Sequence, residues 1–222
     1  MNKKCRFLLA AAFIALSSGG VYAQKGFISI GAGLYFNNEA GGGGVKAAYM
    51  GETTETTYPY AGGGGYVFFD GRFFEVSAGF LIGGGDYKIN QSIGHSVAFD
   101  LTLMNLDFGL YGKYPFKLGE KIRLFPLFGV EYQLVLMTEI DGKTISSSSR
   151  DFSALWFKVG AGIDFIFIPR VYLRIETLGG VRLPNKADKN IRDELQADMP
   201  GASTNKRLGI GLTIKAAIGF QF

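Results

Sequence analysis

The stretch that decides the fold is Leu208-Gly209-Ile210-Gly211-Leu212-Thr213-Ile214-Lys215-Ala216-Ala217-Ile218-Gly219-Phe220-Gln221-Phe222. Its even positions are apolar throughout and its odd positions are small or polar. That period of two belongs to a β-strand with unlike faces, not to a helix. The same alternation runs through residues 28–36, 74–82, 106–110, 124–136, 155–167 and 171–177. A weaker eighth segment covers 60–70, where Gly62 to Gly65 blur the pattern before Tyr66-Val67-Phe68-Phe69.

The links between these segments alternate in length. Those at 70–71, 115–121 and 168–170 are short, whereas 37–59, 83–96, 139–153 and 183–206 are long and polar. Eight antiparallel strands would gather the short links at one rim and the long ones at the other, as periplasmic turns and extracellular loops do in a bacterial outer-membrane barrel. Beyond the N-terminal leader no run of ~18 apolar residues exists to cross a membrane as a helix. An open sheet edge in hydrocarbon would strand unpaired backbone N–H and C=O groups, so spanning strands must close into a barrel. The expected fold is therefore an all-β, eight-stranded, antiparallel up-and-down transmembrane β-barrel. Alternation alone also suits a soluble barrel with an apolar lumen. The aromatics near strand ends (Phe69, Phe165, Phe167, Phe220, Phe222) favour the lipid-facing arrangement, as an interfacial girdle.

Composition removes other classes. Of 222 residues, 47% are hydrophobic and 19% charged, which argues against disorder; one Cys and one His cannot supply a zinc or iron–sulfur centre. Lys3, Lys4 and Arg6 precede the apolar run from Phe7 to Leu16, and Val21-Tyr22-Ala23 offers a cleavage site. Residues 1–23 thus read as a cleaved signal peptide and 24–222 as the barrel domain. Losing the three basic residues brings the formal charge from +4 to about +1, so nucleic acid is not an implied partner. The 33 glycines fit a narrow barrel, where inward Gly makes room for neighbours such as Tyr111, Trp156 and Tyr172. Gly41 to Gly44 and Gly62 to Gly65 lack the Gly-Lys-Ser/Thr continuation of a phosphate loop.

At its C-terminus, Lys215, Ala217, Phe220 and Phe222 resemble the assembly signal read by the outer-membrane barrel insertion machinery, with Ala217 where that signal commonly has Gly. The whole chain after the leader resembles the small eight-stranded outer-membrane barrels typified by OmpA and OmpX, particularly their Gly- and aromatic-rich Bacteroidetes forms. The segment from Leu103 to Tyr114 is similar to the fourth strand of that group. This resemblance implies a Gram-negative outer membrane, both mature termini in the periplasm, outer-membrane lipids and the barrel assembly machinery as partners, and no cofactor.

The candidate site is a charged interior. Glu75, Asp107, Asp164, Arg174, Glu176 and Lys215 fall on polar faces near the middle of their strands, and mixed acids and bases there predict a structural salt-bridge network. No catalytic, cofactor or metal residue is assigned. His95-Ser96 lies at a loop end with no identifiable acid to complete a triad. Asp188, Asp193, Glu194 and Asp198 do not follow calcium-loop spacing. The function expected is structural or surface-interacting through long loops that meet an unidentified extracellular partner, as around Thr53 to Thr57 and Ser146 to Ser149. A narrow passive channel and a lipid-modifying enzyme are the alternatives.

Overall fold

The computed structural model describes residues 28–46, 53–91, 96–144, 149–184, 203–205 and 209–222. Eight long strands carry the architecture: β1 (Ser29–Lys46), β2 (Thr53–Asp70), β3 (Phe74–Gln91), β4 (Ser96–Lys113), β5 (Ile122–Ile140), β6 (Ala154–Ile168), β7 (Val171–Arg182) and β8 (Gly209–Gln221). Each pairs antiparallel with its chain neighbours, and β1 also pairs with β8 from Ser29 opposite Gln221 to Ala40 opposite Ile210. The sheet is therefore a closed up-and-down barrel with no open edge among these strands.

The period-two pattern now has a direction. Leu34, Val67, Phe108, Phe128, Val159 and Ile218 point outward and are exposed, while Glu75, Asp107, Glu131, Lys158, Arg174 and Lys215 point inward and are buried. A soluble barrel with an apolar lumen is thereby excluded.

Three expectations about the links need correction. Most of the stretch 37–59 is strand, since β1 runs to Lys46 and β2 begins at Thr53, pairing Gly41 with Tyr58 and Gly44 with Glu55. Residues 83–91 likewise belong to β3. Neither set of alternate positions in these parts is consistently apolar in the sequence, so hydrophobic alternation could not reveal them; the backbone pairing continues regardless. In the stretch 139–153, Asp141 (φ 48°) and Gly142 (φ 76°) make a two-residue turn, and Lys143–Thr144 fold back on β5. Asp-Gly suits such a turn because both central residues need positive φ. Asp141 also ties the hairpin to β4: its N–H donates to the Asp100 carbonyl, and its Oδ1 accepts from the Asp100 N–H, both at 2.9 Å.

At the other rim the links are short, with 71–73, 114–121 and 169–170 joining successive strands. Inward glycines let large side chains fold across a narrow lumen. A Cβ on Gly219 would collide with the Tyr172 ring, one on Gly162 with Phe125, and one on Gly211 would sit 3.0 Å from Trp156. The expected signal peptide (1–23), His95 and the acidic cluster at 188–198 lie outside the described residues.

Candidate functional site: the charged interior

Short turns bring the ends of β2, β3, β6 and β7 to one rim, and their inward positions meet around Arg174, which is fully buried. Its Nη1 donates to Glu75 Oε2 at 2.7 Å, its Nε to Asp164 Oδ1 at 2.7 Å, and its Nη2 to Asp70 Oδ2 at 2.7 Å and Asp164 Oδ2 at 3.0 Å. Glu176 lies 3.7 Å from Nε. The planar guanidinium suits this role because its donors diverge in a fixed fork and its faces remain free to stack. Phe68 and Phe125 take those faces, with ring centroids 4.6 Å and 4.8 Å from the guanidinium carbon. Asp70 is also paired with Lys113, and Asp164 with Arg123 at 3.2 Å.

A second centre lies deeper and is organised by Glu131. Tyr35 donates to its Oε1 at 2.8 Å, Tyr111 to its Oε2 at 2.5 Å, and Lys158 forms an ion pair with it. Lys158 continues to Thr213 at 2.8 Å, which donates to Asn37 Oδ1 at 2.8 Å. Lys215 reaches Glu131 Oε2 at 3.8 Å and lies over the rings of Tyr111, Tyr66 and Tyr35 at 4.7, 5.3 and 5.4 Å. Nearer the opposite rim, Arg182 pairs with Glu39 at 2.9 Å, and Trp156 donates to Gln133 at 3.3 Å.

The six residues expected in the network are all inward, but they divide between these centres. Glu75, Asp164, Arg174 and Glu176 gather at the first; Lys215 joins the second. The first centre sits at the short-turn end rather than in the middle, since Glu75 is the second residue of β3 and Arg174 the fourth of β7. Asp107 is buried, and neither of its oxygens accepts a hydrogen bond from a described residue; the same holds for Glu176. Sequence reading missed Asp70, taken as a turn residue, and did not place Glu131, Lys158, Lys113 or the tyrosines in the network. An inward parity count from Phe68 would have recovered Asp70.

Little free space separates these groups at the short-turn mouth. A cavity of about 10 Å³ there, lined by Ser29, Asp70, Lys113, Arg123 and Asp164, has room for about one water. At the C-terminus Lys215 and Ala217 are buried inward, whereas Phe220 and Phe222 point outward with ring centroids 5.3 Å apart. Among the described residues no cluster of His, Cys, Asp or Glu is arranged to hold a metal ion.

The fold and this interior define a class: a small, closed, eight-stranded antiparallel barrel, apolar outside and charged inside, which is the architecture of the small outer-membrane barrels. No protein-family model matches the chain, and no curated protein matches it. Among solved structures it is similar to the outer membrane protein OprG from Pseudomonas aeruginosa at 8% identity, covering 89% of this chain and 96% of that one with a TM-score of 0.49. It is also similar to Ail, the attachment invasion locus protein of Yersinia pestis, at 14% identity, 90% and 100% coverage and a TM-score of 0.37. The outer membrane protease OmpT from Escherichia coli aligns at 9% identity, 88% and 97% coverage and a TM-score of 0.36.

Proposed function

We propose that the protein is an integral outer-membrane barrel of a Gram-negative bacterium whose interior is a structural plug and whose work is done at the long-strand end, facing outside partners. The observation that carries this reading is the inversion of polarity. A continuous outer wall of exposed Leu, Ile, Val and Phe surrounds a lumen of charged and hydrogen-bonded groups. In water such a wall would far exceed the few hundred Å² of contiguous apolar patch usual on soluble monomers. In a bilayer it is the required surface, and the closed ladder satisfies the backbone. The short-turn rim, with both ends of the barrel sheet, then faces the periplasm, and Phe222 with Phe220, Ala217 and Lys215 serves the assembly machinery.

The interior supports a filled barrel because Arg174 and Glu131 fix their neighbours by several bonds each across the lumen. Eight strands leave an interior that side chains alone can fill. One observation favours the narrow-channel alternative: the carboxylates of Asp107 and Glu176 are buried with no well-formed hydrogen bond among the described residues, Glu176 keeping only its 3.7 Å contact with Arg174. The long-strand end offers surface for partners because β1–β3 continue past their apolar stretches as paired, polar and Gly-rich strands. Fractionation of cells producing the protein tests the reading. It should enter the outer-membrane fraction, resist carbonate extraction and shift in gel mobility on boiling; recovery from the soluble periplasm would refute it.

A further inference from the structure

Glu176 stands on β7 where both cross-strand neighbours withhold a donor. On β6 its register partner is Gly162, whose missing Cβ leaves room for the Phe125 ring and the Glu176 stem. On β8 the partner is Lys215, placed by register to form an ion pair. Lys215 turns instead to the second centre, its Nζ lying 3.4 Å from Ser77 Oγ, 3.5 Å from the Tyr111 hydroxyl and 3.8 Å from Glu131 Oε2. Arg174, two positions earlier on the same strand, donates from Nε to Asp164 at 2.7 Å and approaches Glu176 only to 3.7 Å. Both Glu176 oxygens are therefore buried without a hydrogen-bond donor among the described residues.

The group that meets it is another acid. Glu75 of β3 lies within side-chain hydrogen-bonding reach of Glu176. Its Oε2 accepts from Arg174 Nη1 at 2.7 Å, while its Oε1 is buried with no donor among the described residues. Two ionised carboxylates cannot bond each other, since both offer only acceptors. The charges around Arg174 do not balance either: four carboxyls (Asp70, Glu75, Asp164 and Glu176) meet three bases (Lys113, Arg123 and Arg174) among the described residues. The second centre has no cation to spare, because Lys158 and Lys215 are matched there by Glu131 and Asp107. Asp70 and Asp164 keep bases of their own, Lys113 and Arg123. Glu75 and Glu176 are left to share Arg174.

A buried carboxylate with no partner is costly, and it neutralises by taking up a proton. We infer that Glu176 carries a proton at neutral pH and donates it to Glu75 Oε1, so that the two carboxyls hold one negative charge between them against Arg174. Around the pair stand Tyr66 and Asp70 on β2, Tyr111 and Lys113 on β4, and Asp164 on β6. Arg123 on β5 is engaged by Asp164, and Lys215 on β8 lies over Tyr35 of β1. The shared proton makes this centre a pH-sensitive latch at the short-turn end. Its loss sets two carboxylates against each other and loosens the lumen there. In the unfolded chain a glutamate ionises near pH ~4.3, so above that pH the folded barrel holds one proton more than the unfolded chain. The stability due to this proton is full at acid pH and declines as pH rises, until the pair itself ionises.

The test compares the folded wild type with Glu176→Gln in detergent micelles. Infrared spectroscopy at neutral pH reads the carbonyl stretch of a protonated carboxyl, which moves on exchange into heavy water. Wild type should show this infrared band, and E176Q should lose it or show it diminished by one carboxyl. Urea unfolding across pH, followed by Trp156 emission, gives the second readout. Above about pH 5 the unfolding constant of wild type should rise relative to that of E176Q by up to about tenfold per pH unit, the slope of one proton. A wild-type spectrum without the infrared band overturns the proposal, as does a band undiminished in E176Q or a pH profile that runs parallel in the two proteins. Gln has the shape of the neutral acid, so an E176Q chain that gives no heat-shifted gel band at neutral pH overturns it as well.

Discussion

Replacing Arg174 by Met removes the guanidinium while keeping most of its apolar stem. In the structure Asp70 retains Lys113 and Asp164 retains Arg123, so these two carboxylates stay paired. Glu75 does not: the ion pair with Arg174 Nη1 at 2.7 Å is its only charge partner within 4 Å among the described residues, and its side chain is fully buried. Glu176 loses its 3.7 Å contact as well. Breaking a buried pair by removing one partner typically costs about 3–5 kcal/mol, because the remaining charge is left uncompensated. The stranded Glu75 carboxylate places R174M within that range. The second substitution Glu75→Gln removes that charge and should restore about 1–3 kcal/mol, a coupling expected of directly bonded neighbours. Urea unfolding in detergent micelles is a suitable assay. Trp156 is the single tryptophan and lies buried in the lumen, so its emission reports opening of the barrel. A loss below about 1 kcal/mol in R174M, or a double variant as unstable as the single, would refute the view that Arg174 holds this centre together.

Further outcomes follow from the same geometry. Tyr111→Phe deletes the 2.5 Å bond to Glu131 and should cost about 1.5–3 kcal/mol in the same urea assay, the range for hydrogen bonds to a charged group. Gly33→Val should abolish the heat-shifted folded band, since a Cβ there would overlap the backbone of Ala216 and Ala217. Gly65→Ala, whose Cβ would meet only the Gly33 carbonyl oxygen at 3.6 Å, should leave that band unchanged. Deletion of Phe222 removes both its ring contact with Phe220 and the 2.9 Å bond from its N–H to the Ile28 carbonyl. It should lower the fraction inserted into the outer membrane in fractionated cells.

Much of the architecture was legible because lipid and lumen impose opposite demands on alternate residues. The run from Leu208 to Phe222 shows both demands without interruption, and β3, β6 and β7 show them nearly as well. Strand length was less legible. Gly41 to Gly44 and Thr53 to Thr57 lie in paired strand although neither set of alternate positions is consistently apolar. Pairing beyond the apolar belt depends on backbone hydrogen bonds that every residue but proline can make, so composition leaves no mark. The Asp141-Gly142 turn was legible in principle as a short-hairpin signal and was obscured by the polar residues after it.

The charged interior was half legible. Parity along each strand put Glu75, Arg174 and Lys215 on inward faces, but which charges meet depends on the register of eight strands around a closed ring. Arg174 and Glu75 stand 99 positions apart in sequence, and no local pattern encodes that contact. Asp70 adjoins a turn and carried a turn residue's signature, yet it is the last inward position of β2 and binds Arg174 at 2.7 Å. Tyr111 read as a filler and Tyr35 was not placed; buried against Glu131, their hydroxyls donate to its two oxygens.

The central claim is that this barrel faces lipid with its wall and keeps its lumen filled. Single-channel recording of the folded protein in a planar bilayer tests it most directly. Inserted, heat-shiftable protein that shows no conductance steps is the predicted result. Reproducible ohmic steps, diminished by substituting Asp107 or Glu176, would contradict it and make the buried carboxylates part of an ion path.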